Sequence, residues 1–237
     1  MQKTNKQNIL PLQDVVLDEF RRTFNYLSEE ELHVIFSNNS DKFFSKGTDV
    51  YRQNSRINGC YFVYSGIIKV FKTGTEGKEQ IIRFAKRGDL IAFRSVINKE
   101  LACTSAKAVD NSVLYYIPSS TLINLLKSNP EFSYHMIRIT CKELEESNCY
   151  ITDIAQKSVK ERLAEVLDML INDFGLDNDN ILQIAITREE LANMVGTATE
   201  SVIRLLSEFK TEKILESQGR KLRILNQNKL SEIAKTY

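Results

Sequence analysis

The segment Thr187–Lys210 (TREELANMVGTATESVIRLLSEFK) limits the possible folds more than any other part of this chain. Two short helical patterns meet at Gly196, where a tight turn favours a residue that adopts a positive φ. Ala192 is small at the position where the second helix would cross the first. The other apolar positions predict a small shared core of Leu191, Val195, Val202, Leu205 and Leu206. The segment therefore predicts a helix-turn-helix.

Each of these two helices begins with a Thr-x-x-Glu pattern. Thr187 with Glu190, and Thr197 with Glu200, have the spacing of a capping box, in which hydroxyl and carboxylate each accept a backbone N–H. A hairpin, called the wing below, is predicted directly afterwards (ILESQGRKLRIL), with its turn at Gln218-Gly219. Two capped helices followed by a basic hairpin favour DNA binding over an ordinary helical hairpin.

Charge supports this prediction only locally. The whole chain has a net charge of +1, and residues 158–237 hold 11 Lys and Arg against 13 Asp and Glu. Phosphate contacts need a basic face rather than a basic domain, so the positions of individual Lys and Arg residues matter more than the net charge. The candidate cations are Arg188, Arg204, Lys210, Lys213, Arg220, Lys221 and Arg223.

The sequence before this region has the pattern of β-strands rather than helices. From about Lys42 to Pro118, short β-rich runs such as CYFVY and IIKVFK alternate with turn signals every 8–12 residues. This rhythm predicts an antiparallel barrel or jelly roll. Helical periodicity over 12–37, with Ser28-x-x-Glu31 as a helix start, precedes it. The fold class is therefore α+β.

A long helix is predicted from Asn129-Pro130 to about Gln156. Two seams repeat at seven residues: Ile137, Leu144 and Ile151 form one, and Thr140, Ser147 and Ile154 form the other. This coiled-coil register beside a helix-turn-helix favours a homodimer, because two-fold DNA sites call for two-fold proteins. A helix packed on its own domain is the alternative.

The chain is thus expected to contain a sensor barrel with flanking helices (1–128), a dimerisation helix (129–157) and a winged helix-turn-helix domain (158–237). In the last part we expect a helix from Ser158-x-x-Glu161 to Gly175, a short strand over 181–186 and a terminal helix over Asn228–Tyr237.

The composition argues against several other classes of protein. No apolar run approaches the roughly 20 residues of a membrane span, and the N-terminus lacks the apolar core of a signal peptide, so we expect a cytoplasmic protein. The four cysteines form no CxxC pair, and the two histidines, His33 and His135, lie in no ligand motif, so no metal site is predicted. No nucleophile–base pair, P-loop or paired catalytic carboxylates are found, so neither an enzyme nor a catalytic residue is expected.

Barrel, long helix and winged helix-turn-helix, in this order, resemble the Crp/Fnr family of bacterial transcription regulators over nearly the whole chain. The resemblance is strongest over Ser158–Arg223, where ITREELANMVGTATESVIRLL is similar to the family signature. YFVYSGIIKVF and RGDLIAF in the barrel resemble it more weakly. The segment AQKSVKERLAEVL and the FRS that follows GDL in the barrel are most similar to the sequences of family members from Bacteroidetes.

The resemblance implies that the second helix of the helix-turn-helix contacts bases. Glu200 resembles the family's glutamate, which accepts a hydrogen bond from cytosine N4. Arg204 resembles the family's arginine, which donates hydrogen bonds to guanine O6 and N7. Thr199 stands where cyclic-AMP receptor-like members have an arginine that contacts an additional guanine. The outer base of the half-site should therefore differ from the one that those members recognise. A palindrome with TGA-like half-site cores is expected. The candidates for backbone contacts are Thr197, Ser201, Arg188, Lys221 and Arg223. For the two hydroxyl residues the alternative is capping, and for the three cations it is a solvated surface charge. For Glu200 and Arg204 the alternative is a surface ion pair.

The barrel departs from the family's cyclic-nucleotide binders. In those, a glutamate after the Gly-Asp turn holds the ribose, and an Arg-Ser pair holds the cyclic phosphate. Phe93 stands at the glutamate's place, and Ala102-Cys103 stand at the pair's place. The carboxylate for a diol and the guanidinium for a phosphate are both missing, which argues against cyclic AMP.

Other effector positions leave alternatives open. Arg94 could contact an anionic ligand from a shifted position or lie on the surface. Ser147 and Asn148 match ligand-facing positions on the long helix, but the polar step of a coiled coil is favoured. Haem sensing stays open, although helix-surface or packing roles are favoured for both histidines.

The expected partners are double-stranded DNA, a second copy of the chain, an unknown small-molecule effector and, through loops such as Asp173–Asn180, RNA polymerase. The barrel could also be ligand-free, with the protein acting by abundance alone. A function of another class is a β-barrel receptor or enzyme whose C-terminal domain mediates protein contacts.

Overall fold

The computed structural model describes residues 12–36 and 41–234. The helices are α1 (Leu12–Thr23), α2 (Glu29–Phe36), α3 (Phe93–Asn98), α4 (Ser119–Ser128), α5 (Pro130–Gln156), α6 (Val159–Phe174), α7 (Arg188–Val195), α8 (Thr199–Thr211) and α9 (Gln227–Ala234). The strands are β1 (Asp41–Phe44), β2 (Asp49–Tyr51), β3 (Gly59–Ser65), β4 (Ile68–Thr73), β5 (Glu79–Ala85), β6 (Leu90–Ile91), β7 (Ser105–Ala108), β8 (Ser112–Pro118), β9 (Leu215–Gln218) and β10 (Lys221–Ile224).

Strands β1–β8 form two four-stranded sheets, in the orders β1-β8-β3-β6 and β2-β7-β4-β5. Strand β3 pairs antiparallel with β8, from Gly59 opposite Pro118 to Ser65 opposite Val113. Apolar side chains from both sheets, including Val63, Ile68 and Leu114, fill the space between them. The predicted jelly roll and the α+β fold class are confirmed.

A second apolar cluster lies where helices cover the barrel. Phe20 and Phe24 of α1 contact each other with ring centroids 4.5 Å apart, and Phe62 of β3 lies 4.9 Å from Phe20. Phe132, at the start of α5, lies 5.7 Å from Phe24. Ser28 and Glu31 exchange hydrogen bonds at the start of α2, as their spacing predicts.

Four short elements of the barrel were absent from the sequence predictions. Strands β2 and β6 have only three and two residues, so neither is long enough to show an alternating pattern. Helix α3 has six residues and begins after Ala92, which has a φ of 69°. Helix α4 follows Pro118 at the end of β8, without an intervening loop.

The long helix α5 begins and ends where the sequence predicts. The Asn129 side chain caps it, since its Oδ1 accepts the backbone N–H of Phe132 at 2.9 Å. Phe132 and Met136 are buried, whereas most of the helix beyond them is exposed.

The C-terminal elements also follow the predictions in most places. Ser158 and Glu161 form a complete capping box at the start of α6, and Gly175 ends the helix. Helix α9 agrees with the predicted terminal helix up to Ala234, and residues 235–237 lie outside the described residues.

The predicted strand over 181–186 is wrong. The chain there makes only isolated bridges, between Leu176 and Leu182 and between Ile181 and Arg223. Three alternating isoleucine and leucine side chains nevertheless point inward, because Leu182, Ile184 and Ile186 are all buried. The alternating pattern therefore reflects burial along an extended segment rather than a continuous ladder.

The described residues divide into two compact units. Of these residues, one unit contains those up to Thr73 together with Ile82–Thr140, and the other contains Gly74–Ile81 together with those from Cys141 to Ala234. The division between barrel, dimerisation helix and DNA-binding domain at residues 128 and 157 stays a prediction. Among the described helices, none combines the length and apolar character needed to cross a membrane.

Candidate DNA-binding site

Helix α7 is fixed at its start by the predicted capping box. The Glu190 backbone N–H donates to Thr187 Oγ1 at 3.0 Å, and the Thr187 N–H donates to Glu190 Oε2 at 2.8 Å. Both partners of the box are satisfied, which stabilises a helix of only eight residues. The predicted shared core with α8 is confirmed, since all of its members are buried: Leu191, Val195, Val202, Leu205 and Leu206. Ala192, at the predicted helix crossing, is buried as well.

The turn between the two helices depends on Gly196. Its φ is 71°, in the left-handed region, and its N–H donates to the Ala192 carbonyl at 2.9 Å. A Cβ atom at this position would also lie 2.8 Å from the hydroxyl oxygen of Tyr150. Glycine is therefore required by the backbone conformation and by the space available.

The predicted capping box of Thr197 and Glu200 is wrong. Helix α8 begins at Thr199 with Ala198 as its N-cap, and no side chain caps it. Thr197 lies one residue before the cap, so Glu200 is the second residue of the helix instead of the third. A capping box joins the N-cap to the third residue, and the register is off by one. The Glu200 carboxylate is consequently left exposed at the surface.

Glu200 and Arg204 present their charges on the exposed face of α8. They are four residues apart, which places both side chains on one side of the helix, about one turn apart. Both are exposed, and in the described part of the chain neither takes part in an ion pair, so the alternative of a Glu–Arg surface pair is not formed. Their hydrogen-bonding groups are available to a ligand.

The other candidate contact residues lie around this face. Thr197, Thr199, Ser201 and Arg188 are half-buried. Lys221 in the wing is exposed, as is Arg223, whose guanidinium lies 3.9 Å from the Glu216 carboxylate directly opposite it. Glu216 therefore offsets part of the positive charge that Arg223 brings to the wing.

The wing is a two-stranded hairpin, as predicted. Gln218 pairs with Lys221, which leaves Gly219 and Arg220 as a two-residue loop, one position beyond the predicted turn. Gly219 has a φ of 58°, a conformation that tight hairpin loops need and glycine adopts readily. Arg220 is thus carried at the tip, where it is exposed.

Two cations of α6, which belong to no sequence motif, hold the helix-turn-helix in place. Arg162 donates to the Val195 carbonyl at 3.1 Å, at the end of α7, and to the Lys157 carbonyl at 2.7 Å. Lys160 donates to Glu208 of α8 at 2.5 Å and to Glu212, the C-cap of that helix, at 2.8 Å. Hydrogen bonds with Glu208 and then Glu212 raise the pKa of Lys160 above its ordinary value.

Comparison with known proteins agrees with this arrangement. Residues 41–129 match the family model of the cyclic nucleotide-binding domain, and residues 161–233 match that of the Crp-like helix-turn-helix domain. The chain belongs to the Crp/Fnr family of transcriptional regulators. It is accordingly a DNA-binding transcriptional regulator.

One relative in sequence and two solved structures illustrate the similarity. The fumarate and nitrate reduction regulatory protein of Vibrio cholerae is 28% identical over 191 residues, which cover 80% of this chain and 76% of that protein. The structure of FixK2 from Bradyrhizobium japonicum has a TM-score of 0.74 and 20% identity, covering 84% of this chain and 98% of that one. A CooA variant from Carboxydothermus hydrogenoformans has a TM-score of 0.69 and 25% identity, covering 97% of each chain.

The effector candidates in the barrel differ in how far they are buried. Phe93 is 2% exposed and belongs to the core cluster with Phe62 and Leu90, and Ala102 is also buried. Arg94 is half-buried, and Cys103 is exposed, with its backbone N–H donating to Ser95 Oγ at 3.2 Å. The side chain at the position of the family's ribose-binding glutamate is therefore part of the core.

Two further effector candidates lie on α5. Ser147 and Asn148 are both exposed, and the Ser147 hydroxyl donates to the Glu143 carbonyl at 2.8 Å. A hydroxyl bonded back to its own helix in this way is satisfied locally. This geometry suits a polar step in a helix seam.

Histidine and cysteine side chains are dispersed. His33 is exposed on α2, and His135 packs against Phe24 and Tyr26 with ring centroids 5.3 and 5.8 Å away. The predicted surface and packing roles are confirmed. In the parts of the chain that the structure describes, no three His, Cys, Asp or Glu side chains are grouped to hold a metal ion.

Proposed function

We propose that this Crp/Fnr regulator binds as a homodimer to a palindromic DNA site whose half-sites carry a TGA-like core. Glu200 would accept from a cytosine amino group, and Arg204 would donate to guanine O6 and N7. The observation that carries the proposal is the pair of unengaged side chains one turn apart on the exposed face of α8. Thr199 would face the outer base, where it cannot form the two-pronged contact of an arginine.

The proposed backbone contacts surround this pair. Thr197, Ser201 and Arg188 lie near the helix-turn-helix, and Lys221 and Arg223 lie in the wing. Such contacts would fix the orientation of α8 on the duplex without selecting a sequence. Because Arg223 already lies near Glu216, Lys221 is expected to contribute more to phosphate binding.

Dimerisation is proposed through α5, because its two seams are exposed in the single chain. Crp/Fnr regulators act as dimers. The four large apolar side chains of the seams are between 46% and 66% exposed: Ile137, Leu144, Ile151 and Ile154. An apolar stripe of this length along one helix needs a partner, and a second copy of α5 offers the matching heptad pattern.

For the effector, we propose a compound other than cyclic AMP, or none. The Phe93 side chain lies in the core and has no oxygen to accept from ribose hydroxyls. For regulation, we propose transcription activation, since a relative from Pseudomonas protegens is a transcriptional activator protein, Anr, at 26% identity. We further propose that the loop Asp173–Asn180 contacts RNA polymerase. The protein is proposed to act in the cytoplasm and to have no enzymatic activity.

The DNA-binding proposal is tested by titrating the protein against a palindrome with TGA cores and against a scrambled duplex of the same composition. We expect tighter binding to the palindrome, with affinity for both duplexes falling as salt rises because phosphate contacts displace counterions. Equal affinity at every salt concentration would contradict the site and favour the alternative of a barrel receptor with a protein-binding C-terminal domain.

The dimer is tested with Leu144→Lys, which places a charge in the seam. We expect sedimentation of the variant as a monomer and loss of its preference for the palindrome over a single half-site. Glu145→Lys is the matched control, since it adds a lysine at the adjacent exposed position outside the seam. A dimer in both variants would argue against α5 as the interface.

A further inference from the structure

Ile203 is an apolar side chain on the otherwise polar outer face of α8. It is 53% exposed, whereas the neighbouring exposed side chains of this helix are charged or hydroxylic: Glu200, Arg204, Ser207, Glu208, Lys210 and Thr211. The inward side of α8 is already filled by Val202, Leu205, Leu206 and Phe209. Ile203 therefore contributes little to the core of the domain.

Helix propensity does not explain an isoleucine at this position. A β-branched residue is a weaker helix former than the lysine, glutamate or arginine that exposed helix positions usually carry. Exposure of an aliphatic side chain to water is also unfavourable compared with its burial. Single exposed apolar side chains are common on protein surfaces, so the place of Ile203 on the helix, rather than its exposure alone, carries the argument.

The position of Ile203 on the helix identifies the surface that would cover it. It follows Thr199 by four residues and Glu200 by three, so it lies one turn further along the same face. Since about 100° separates successive helical residues, Ile203 lies between the columns of Thr199 and Glu200, with Arg204 on the far side of Glu200. It therefore lies beside the two side chains proposed to contact bases.

We propose that Ile203 contacts the C5-methyl group of a thymine adjoining the base pair that Glu200 contacts. The inference rests on the proposed function, since it requires α8 in the major groove. Of the four bases, thymine alone shows an apolar group there. A β-branched side chain suits this contact because its χ1 angle is already restricted in a helix, so little rotational freedom is lost on binding. Ile203 would thus select for thymine without any hydrogen bond.

The test replaces each thymine of the palindrome in turn by deoxyuridine, in both half-sites. Uracil keeps every hydrogen-bonding group of thymine and lacks only the methyl. For the unmodified protein we expect a loss of about four-fold in affinity per half-site at one position, the change that follows from removing one buried methyl group. Ile203→Ala should bind the thymine and uracil duplexes equally at that position.

Two further variants separate this contact from general effects on the domain. Ile203→Val keeps a β-branched side chain and should keep most of the sensitivity to the methyl. Met169→Ala shortens another exposed apolar side chain, on α6, and should leave the sensitivity unchanged. Unfolding curves for all three variants establish that each one is folded at the temperature of the assay.

The inference and the proposed function fail in different ways. Equal affinity of the unmodified protein for every uracil duplex, with its preference over scrambled DNA intact, overturns the thymine contact alone. The same holds for a uracil penalty that Ile203→Ala retains in full. Loss of any preference for the palindrome would instead overturn the proposed function.

Discussion

The hydroxyl oxygen of Tyr150 lies 2.8 Å from the position that a Cβ atom on Gly196 would occupy. The same hydroxyl is buried and has no hydrogen-bond partner within the described structure. Burial raises the pKa of Tyr150, although Arg162 nearby opposes the shift, so the phenol stays neutral. A residue of α5 and the turn of the helix-turn-helix are thus in direct contact, and only glycine leaves room for both.

We expect Gly196→Ala to destabilise the protein by more than the backbone conformation alone requires. A non-glycine residue at positive φ costs about 1–2 kcal/mol, and the approach to Tyr150 adds to that cost. Gly219→Ala is the matched control, because Gly219 also has a positive φ but no atom within 4 Å of the place that its Cβ would take. Urea unfolding of both variants measures the difference.

Removal of the hydroxyl separates the two contributions. Tyr150→Phe should change stability little, because the hydroxyl makes no hydrogen bond within the described structure, and it should restore part of the stability lost in Gly196→Ala. Additive effects in the double variant would show that the close approach does not contribute to the cost.

The two threonines of the helix-turn-helix should respond differently to removal of their hydroxyls. Thr187→Ala loses a capping hydrogen bond, so we expect a decrease of about 1 kcal/mol in the free energy of unfolding. Thr197→Ala should lower the free energy of unfolding by only about 0.5 kcal/mol or less, because α8 begins beyond Thr197 and the hydroxyl does not cap it. Thermal unfolding gives the comparison, and equal losses would contradict the observed start of α8.

Arg204→Ala should lose sequence preference at one G·C pair of each half-site, by about 1–3 kcal/mol of discrimination. Competition among duplexes substituted at each position measures this loss. Lys221→Ala is the control, since loss of a phosphate contact should weaken binding to all sequences alike and reduce the slope of affinity against salt by about one ion. Unchanged base preference in Arg204→Ala would contradict the assignment of this arginine.

His135 makes stability depend on pH in the mildly acidic range. Burial against Phe24 and Tyr26, together with the positive charge of Arg138, lowers the pKa of His135 below its ordinary value of 6.5. The unfolded chain therefore binds more protons than the folded one, and the free energy of unfolding falls as the pH drops below about 6.5 towards the folded pKa.

His135→Gln removes this titration and should flatten the dependence. Urea unfolding at pH 7.5 and 5.5, about one unit on either side of the histidine's ordinary pKa, gives the loss of stability for each protein. We expect a smaller loss in the variant than in the unmodified chain. Identical losses would show that other groups carry the whole pH dependence.

The sequence predicted those parts of the DNA-binding domain whose signals are local. The caps at Thr187 and Ser158, the turn at Gly196 and the hairpin of the wing depend on residues within a few positions of one another. The spacing of Thr197 and Glu200 predicted the wrong start for α8, because a Thr-x-x-Glu pattern is compatible with two helix starts one residue apart. In the structure the helix takes the later start, with Ala198 as its N-cap.

The candidate site was predicted in part for a similar reason. Glu200 and Arg204 could be proposed because the polar groups of bases call for particular polar side chains. Arg162 carries no such signal, since its backbone partners are defined only when α6 and α7 pack together. Ile203 carries no such signal either, because an isoleucine in an amphipathic helix is ordinarily a core residue.

The exposed seam of α5 has a consequence for gene control. In the proposed dimer, each regulatory site is filled by two chains that must first meet. Below the dissociation constant of the pair, the number of assembled dimers grows with the square of the chain concentration, so doubling synthesis raises the occupancy of a sparsely filled DNA site about four-fold. A helix that leaves Ile137, Leu144 and Ile151 in water until a second chain arrives would thus amplify a modest change in expression into a larger change in site occupancy.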